Sequence, residues 1–186
     1  MKNAAINEIL TEKGFLLADG ATGTNLFMRG LETGYPPELW NVERPDDIQG
    51  LHALFFDSGS DLVLTNSFGG NALRLKLHDA QDRVTELNLA AARLARKAAA
   101  TATDRQRRPL LVAGSMGPTG ELFEPMGALT HTSTRDIFAA QANALAEGGV
   151  DMLWIETMSS TEEIASALEA AKTTGLPVAA TMTFDT

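Results

Sequence analysis

Cysteine is absent from the 186 residues, which excludes disulfides, thiolate nucleophiles and thiolate metal ligands within this chain. Histidine occurs three times, as His52, His78 and His131, at no spacing that would build a metal site from imidazoles, and no residue of this chain is expected to ligate a metal. Positive charge is scarce as well. The formal net charge is −9, and the densest basic stretch, Arg105-Gln106-Arg107-Arg108, falls in a helix-to-strand loop and reads as a solvated face, so nucleic acid is not an expected partner. No apolar run reaches the ~18 residues needed to cross a bilayer. Met1-Lys2-Asn3-Ala4-Ala5 also lacks the basic-then-apolar order of a secretory signal. The expectation is a cytoplasmic protein without membrane partners.

What the chain does contain is a rhythm. Hydrophobic residues make up 44% of it, ample for a core, and five apolar segments each run into polar or glycine-rich sequence: Asp19-Gly20-Ala21-Thr22-Gly23-Thr24, Thr65-Asn66-Ser67-Phe68-Gly69-Gly70, Gly114-Ser115-Met116-Gly117-Pro118, Glu156-Thr157 and Thr181-Met182-Thr183-Phe184. Helical stretches join them, the alternation of a (β/α)8 TIM barrel. A closed barrel usually takes about 250 residues, so the expected architecture is the N-terminal portion of one, about five β/α units, in a single domain over residues 1–186 that is incomplete at its C-terminal side. An open doubly wound sheet is the rival. Sequential strand neighbours distinguish the barrel from a sheet whose order reverses at a crevice. A partial barrel would leave its last strand open and recruit another copy, a further segment, or aggregate.

The expected elements follow from spacing and punctuation. Ile6, Ile9 and Leu10 mark a leading helix over 5–14, and Phe15-Leu16-Leu17-Ala18 a buried first strand. Residues 30–43, rich in Gly and Pro, read as a long irregular loop. Pro45-Asp46-Asp47 opens a helix that Ser58-Gly59-Ser60 stops, because Pro fits a first turn and acid favours the positive end of the helix dipole. Further strands are expected at Leu62–Thr65, Leu110–Ala113, Val150–Ile155 and Pro177–Thr181. Ser133 and Ser159 or Ser160 are the expected caps of the last two helices.

In a barrel the strand C-termini converge on one mouth, and every polar signature above sits there. Asp19 follows an apolar strand and precedes Gly20; its carboxylate either meets a ligand or caps its own turn. Glu156 ends Met152-Leu153-Trp154-Ile155, where a charge near buried surface must be paired; a substrate ammonium or a structural cation would each serve. Thr65, Asn66, Ser67, Ser115 and Thr157 add short donors and acceptors suited to a zwitterion. Tyr35, Trp40 and Phe68 could wall a methylated cation, while Trp154 is expected between barrel and helix. The segment 20–24 lacks the order of a nucleotide-binding loop.

At Leu17-Ala18-Asp19-Gly20-Ala21-Thr22-Gly23-Thr24, Glu38-Leu39-Trp40-Asn41, Leu64-Thr65-Asn66-Ser67-Phe68, Gly114-Ser115-Met116-Gly117-Pro118-Thr119-Gly120 and Ile155-Glu156-Thr157, the sequence resembles the homocysteine S-methyltransferase family, in particular its bacterial betaine-homocysteine methyltransferase branch. The resemblance implies a zinc-dependent (β/α)8 barrel that moves a methyl group from glycine betaine or a related donor onto the homocysteine sulfur, giving methionine. Methylfolate, used by related modules through a cobalamin domain, is the alternative donor. It further implies that Asp19 and Glu156 hold the amino acid part of homocysteine, beside Thr65-Asn66-Ser67, and that zinc is held by three cysteine thiolates from later strands. This chain carries none of those cysteines. The resemblance therefore describes the activity of a complete domain, and the chain alone is expected to lack zinc and turnover, or to serve as a noncatalytic fragment or interaction module.

Overall fold

A computed structural model describes residues 2–184, with side chains from residue 4 onward. The sheet has four parallel strands in the order β1-β2-β3-β4, where β1 is Leu62–Leu64, β2 Leu111–Met116, β3 Met152–Met158 and β4 Val178–Met182. Neighbours in space are neighbours in sequence. That order is the barrel's and not the doubly wound sheet's, and the fold is a partial (β/α)8 barrel.

The expected first strand is not one. Phe15–Ala18 contributes a single parallel bridge, Ala18 to Leu62, with the Asp61 amide donating to the Leu17 carbonyl (2.7 Å) and the Asp19 amide to the Leu62 carbonyl (3.0 Å). Phe15 is 60% exposed and Leu17 48%. Only one flank of this segment meets a strand among the described residues, so the pairing that would extend it is missing and its side chains are not buried as expected. At the far edge β4 pairs with β3, and Ala180 and Thr181 are exposed.

Period-two alternation divides the strands between two cores. Leu62, Leu111, Ala113 and Met152 face the barrel interior, with Leu64, Trp154 and Ala179 beside them, and α1 (Lys2–Lys13) covers that face through Ile9. Trp154 thus points into the barrel, correcting the expected position under a helix. Val63, Val112, Leu153 and Ile155 face outward, against α6 (Val84–Gln106), α7 (His131–Glu147) and α8 (Thr161–Lys172). An alanine stripe on α6, Ala91, Ala92, Ala95, Ala98, Ala99 and Ala102, is wholly buried, and small side chains there let helix and sheet approach closely. Gly114 serves the same end: a Cβ at that position would lie 3.0 Å from both Leu145 and Leu153.

Helix starts follow local chemistry. α4 (Pro45–Asp57) begins on Pro45 with Asp46 and Asp47 in its first turn, as the sequence predicts. Ser160 caps α8, accepting from the Glu163 amide. For α7 the cap is Thr130, not Ser133; Ser133 is the reciprocal member of a capping box, so the helix starts three residues earlier than Ser133 as cap allows. The expected loop over 30–43 contains a 3-10 turn, Pro37–Leu39, and a short helix α3, Trp40–Glu43. Two short elements were illegible in the sequence: α2 (Thr22–Met28) and α5 (Ala72–Lys76).

Carboxylates at the strand N-termini are structural. Asp61, fully buried before β1, accepts from Lys13 Nζ (2.5 Å), from the Leu17 amide (3.1 Å) and from Arg108. Burial raises its pKa, but those donors outweigh burial and hold the carboxyl below its ordinary value. Asp151, before β3, likewise takes the Val112 amide (2.8 Å) and Arg96. Among the described residues, Asp19 and Glu156 at the opposite rim have no such ion pairs.

Candidate functional site

The strand C-termini surround one cavity of about 670 Å³, lined among others by Asp19, Gly20, Tyr35, Glu38, Thr65, Asn66, Ser67, Phe68, Ser115, Trp154 and Glu156. The alternation of β2 and β3 explains the inward direction of Ser115, Trp154 and Glu156, each an even number of residues from an interior-facing neighbour.

Asp19 Oδ2 accepts from the Leu64 amide (3.0 Å), which ties the turn after Ala18 to the end of β1. Burial dominates the carboxyl's environment and raises its pKa to about 7; the backbone hydrogen bonds oppose the shift and the Glu156 charge adds to it. No arginine or lysine is paired with Asp19 or Glu156 among the described residues. Glu156 Oε1 instead accepts from Ser115 Oγ (2.5 Å). Two acids thus face one cavity, one of them poised between its charged and neutral forms near neutral pH, an arrangement that would favour a cation over water.

The hydroxyls of Thr65 and Ser67 are already spent. Ser67 Oγ donates to the Ser115 carbonyl (2.8 Å), so the 2.6 Å contact between Thr65 Oγ1 and Ser67 Oγ has Thr65 as donor. Thr65 Oγ1 accepts in turn from the Ser115 amide (3.0 Å). This chain of bonds stitches the ends of β1 and β2 and fixes Ser115, which orients Glu156. Asn66 donates from Nδ2 to the Pro37 carbonyl (2.7 Å) and to Asn41 Oδ1 (3.0 Å); it pins the 37–41 segment over the strand end.

Two expected site residues lie elsewhere. Trp40 is 5% exposed and packs with Leu26, Leu31, Ile48 and Leu51, with the Arg44 guanidinium 4.0 Å from its ring centroid; it walls no pocket. Thr157 is exposed and outside the cavity lining. Its φ of 63°, strained for a β-branched residue, accompanies the break in register between Ile155 and Met158. Tyr35 and Phe68 do line the cavity. Tyr35 donates to Glu43 Oε2 (2.7 Å), and the Phe68 ring lies over Gly117, where a Cβ would come within 2.6 Å of it.

The structure adds Glu38, Arg74 and His78 to the cavity wall. Glu38 is 4% exposed and accepts from the Gly69 amide (2.7 Å); burial pushes its pKa up, against the pull of that amide and of Arg74 and His78. Its place in the Glu38–Asn41 motif was the available signal. Arg74 and His78 had none, because α5 was not recognised.

Among the described residues no group of three or more His, Asp or Glu side chains could hold a metal ion, and cysteine is lacking. The residues do not fit a thiolate-bound zinc, and no step is assigned to a metal held by them. No helix among the described residues is long and apolar enough to cross a membrane.

Comparison with known proteins identifies the family. The homocysteine S-methyltransferase family model matches residues 16–186. The methionine synthase of Mycobacterium leprae is 32% identical over 163 residues, 82% of this chain and 13% of that protein. That of Mycobacterium tuberculosis is 32% identical over 171 residues, 87% of this chain and 14% of that protein. The metallated form of the homocysteine methyltransferase MmuM from Escherichia coli superposes with a TM-score of 0.81 at 25% identity, covering 97% of this chain and 66% of that one. Its apo form gives 0.76 at 26% identity, covering 99% and 64%. The chain therefore spans about a seventh of the methionine synthases and just under two thirds of MmuM.

Proposed function

The chain belongs to the homocysteine S-methyltransferase family, and from that premise we propose that it forms the homocysteine-binding part of a methyltransferase that converts homocysteine to methionine. The observation that carries the proposal is the pair Asp19 and Glu156, two acids facing one cavity at the strand C-termini with no cationic partner among the described residues. The ammonium of homocysteine supplies the missing charge. On this reading Ser115 orients Glu156, Thr65 and Ser67 hold Ser115, and Gly20 and Asn66 shape the wall.

In the transfer, the methyl carbon leaves the nitrogen or sulfur of its donor, which keeps the electron pair of the broken bond. The homocysteine sulfur, having released its proton, forms the new C–S bond. Bound zinc would make that sulfur a thiolate near neutral pH. Its ligands lie outside the residues of this chain, so the 186-residue polypeptide binds the amino acid and does not turn over.

The donor proposed is glycine betaine or a related methylated ammonium or sulfonium compound, with Phe68 and Tyr35 facing its cation. A second reading, a methylfolate-dependent module of a larger protein, is favoured by the methionine synthase relatives, of which the chain matches a small part. Association through the exposed edges at Leu17 and Ala180 completes the barrel in either case. Methionine formation by a zinc-loaded complete domain, assayed with each donor in turn, tests the proposal. Methionine from one donor is the expected result, and none from any donor would contradict it.

A further inference from the structure

The cavity has two electrostatic neighbourhoods. Asp19 is acted on by Glu156, whereas Glu38 is acted on by Arg74 and His78. Arg74 belongs to α5, and His78 follows one turn later, where its amide donates to the Leu75 carbonyl (3.0 Å). Neither the Arg74 guanidinium nor the His78 imidazole makes a hydrogen bond or ion pair within the described residues. Both nevertheless line the cavity.

The Arg74 side chain is exposed and lies beside a glycine turn. Its Nη1 lies 3.2 Å from where a Cβ on Gly120 would be, and Gly120 has a φ of +82°, a backbone conformation that glycine adopts without strain. A guanidinium laid against a glycine turn at the rim of a cavity keeps its donors available for a planar anion. A shallower recess continues outward from the same wall and shares Gly34, Tyr35, Pro36 and His78 with the main cavity. The two basic side chains therefore stand where a second ligand can enter.

On the homocysteine reading, that anion belongs to a second molecule. In an amino acid one carbon joins the ammonium and the carboxylate, so an ammonium at Asp19 and Glu156 keeps its own carboxylate in their neighbourhood. A volume of about 670 Å³ lies within the range of pockets that hold drug-sized ligands and accommodates two small molecules. Phe68 and Tyr35 line the same cavity, and aromatic rings attract a methylated cation.

We propose that Arg74 and His78 hold the carboxylate of a zwitterionic methyl donor, whose methylated cation lies against Phe68 and Tyr35. This rests on the homocysteine reading for the identity of the second ligand, and the test separates the two. Binding of glycine betaine, and of choline, which has the same cation without the carboxylate, is measured calorimetrically on the 186-residue chain, alongside L-homocysteine. Glycine betaine binds at least tenfold more tightly than choline, and Arg74→Gln or His78→Gln reduces that preference to within twofold. Arg74→Lys keeps part of it, and L-homocysteine affinity changes less than twofold in all three variants. Equal binding of glycine betaine and choline to the unaltered chain, or no binding of either, overturns the proposal. So does an Arg74→Gln variant that loses homocysteine and keeps glycine betaine. Failure of homocysteine alone to bind, with the preference for glycine betaine intact, instead defeats the homocysteine reading and leaves the carboxylate subsite standing.

Discussion

Ser115 Oγ donates to Glu156 Oε1 across 2.5 Å, and the Ser115 amide is itself held by Thr65 Oγ1. The serine is a relay between the scaffold and the acid. Ser115→Ala removes one hydrogen bond to a carboxylate, worth about 1.5–3 kcal/mol, and leaves Glu156 free to rotate. L-homocysteine affinity should fall roughly tenfold or more on that basis, and the melting temperature by several degrees because the bond is present in the unliganded fold, measured by calorimetry and thermal denaturation.

Asp19 predicts a pH dependence. Its pKa of about 7 in the folded chain lies above the ordinary value of 3.8, so the folded state holds a proton that the unfolded state releases. The stability from that proton is fully present below about pH 4 and declines until about pH 7, where it levels. Cation binding runs the other way: it needs the carboxylate, so affinity for the homocysteine ammonium should rise from pH 6 to pH 8. Asp19→Asn should flatten both profiles, checked by denaturation and binding titrations across that range.

Asp61 has the opposite sign. Its pKa is held below the ordinary value chiefly against burial by Lys13, the Leu17 amide and Arg108, so its contribution is present above about pH 4 and lost as acid protonates it. Asp61→Asn should cost roughly 2 kcal/mol at pH 7, read from urea unfolding, and the cost should shrink at low pH.

At Thr157 the left-handed φ of 63° burdens a β-branched residue whose side chain misses the cavity. Thr157→Gly should relieve strain of about 1 kcal/mol, giving equal or higher stability and homocysteine affinity within twofold. A loss of stability in thermal denaturation would show that the Thr157 side chain has a role its exposure does not reveal.

The barrel was legible because its strands carry strong period-two signals and end in polar residues; Asp19, Ser115 and Glu156 came from that pattern alone. The first strand was overread, since Phe15–Ala18 has the composition of a buried strand but meets a partner on one flank only. Trp40 was misplaced because an aromatic near a glycine-rich loop looks the same whether it walls a pocket or, as here, packs on Leu26 and Ile48. Arg74 and His78 were invisible because α5, five residues long, is too short to show a helical period. The roles of Thr65 and Ser67 could not be read from composition either, because a hydroxyl that stitches two strands and one that faces a ligand have identical sequence signatures.

The central claim is that Asp19 and Glu156 together bind the homocysteine ammonium. Calorimetric titration of L-homocysteine into the unaltered chain and into Asp19→Asn and Glu156→Gln tests it most directly. One-to-one binding that weakens at least tenfold in each variant, with both variants folded by circular dichroism, is the predicted result; equal affinity in all three proteins, or no binding to the unaltered chain, would contradict it.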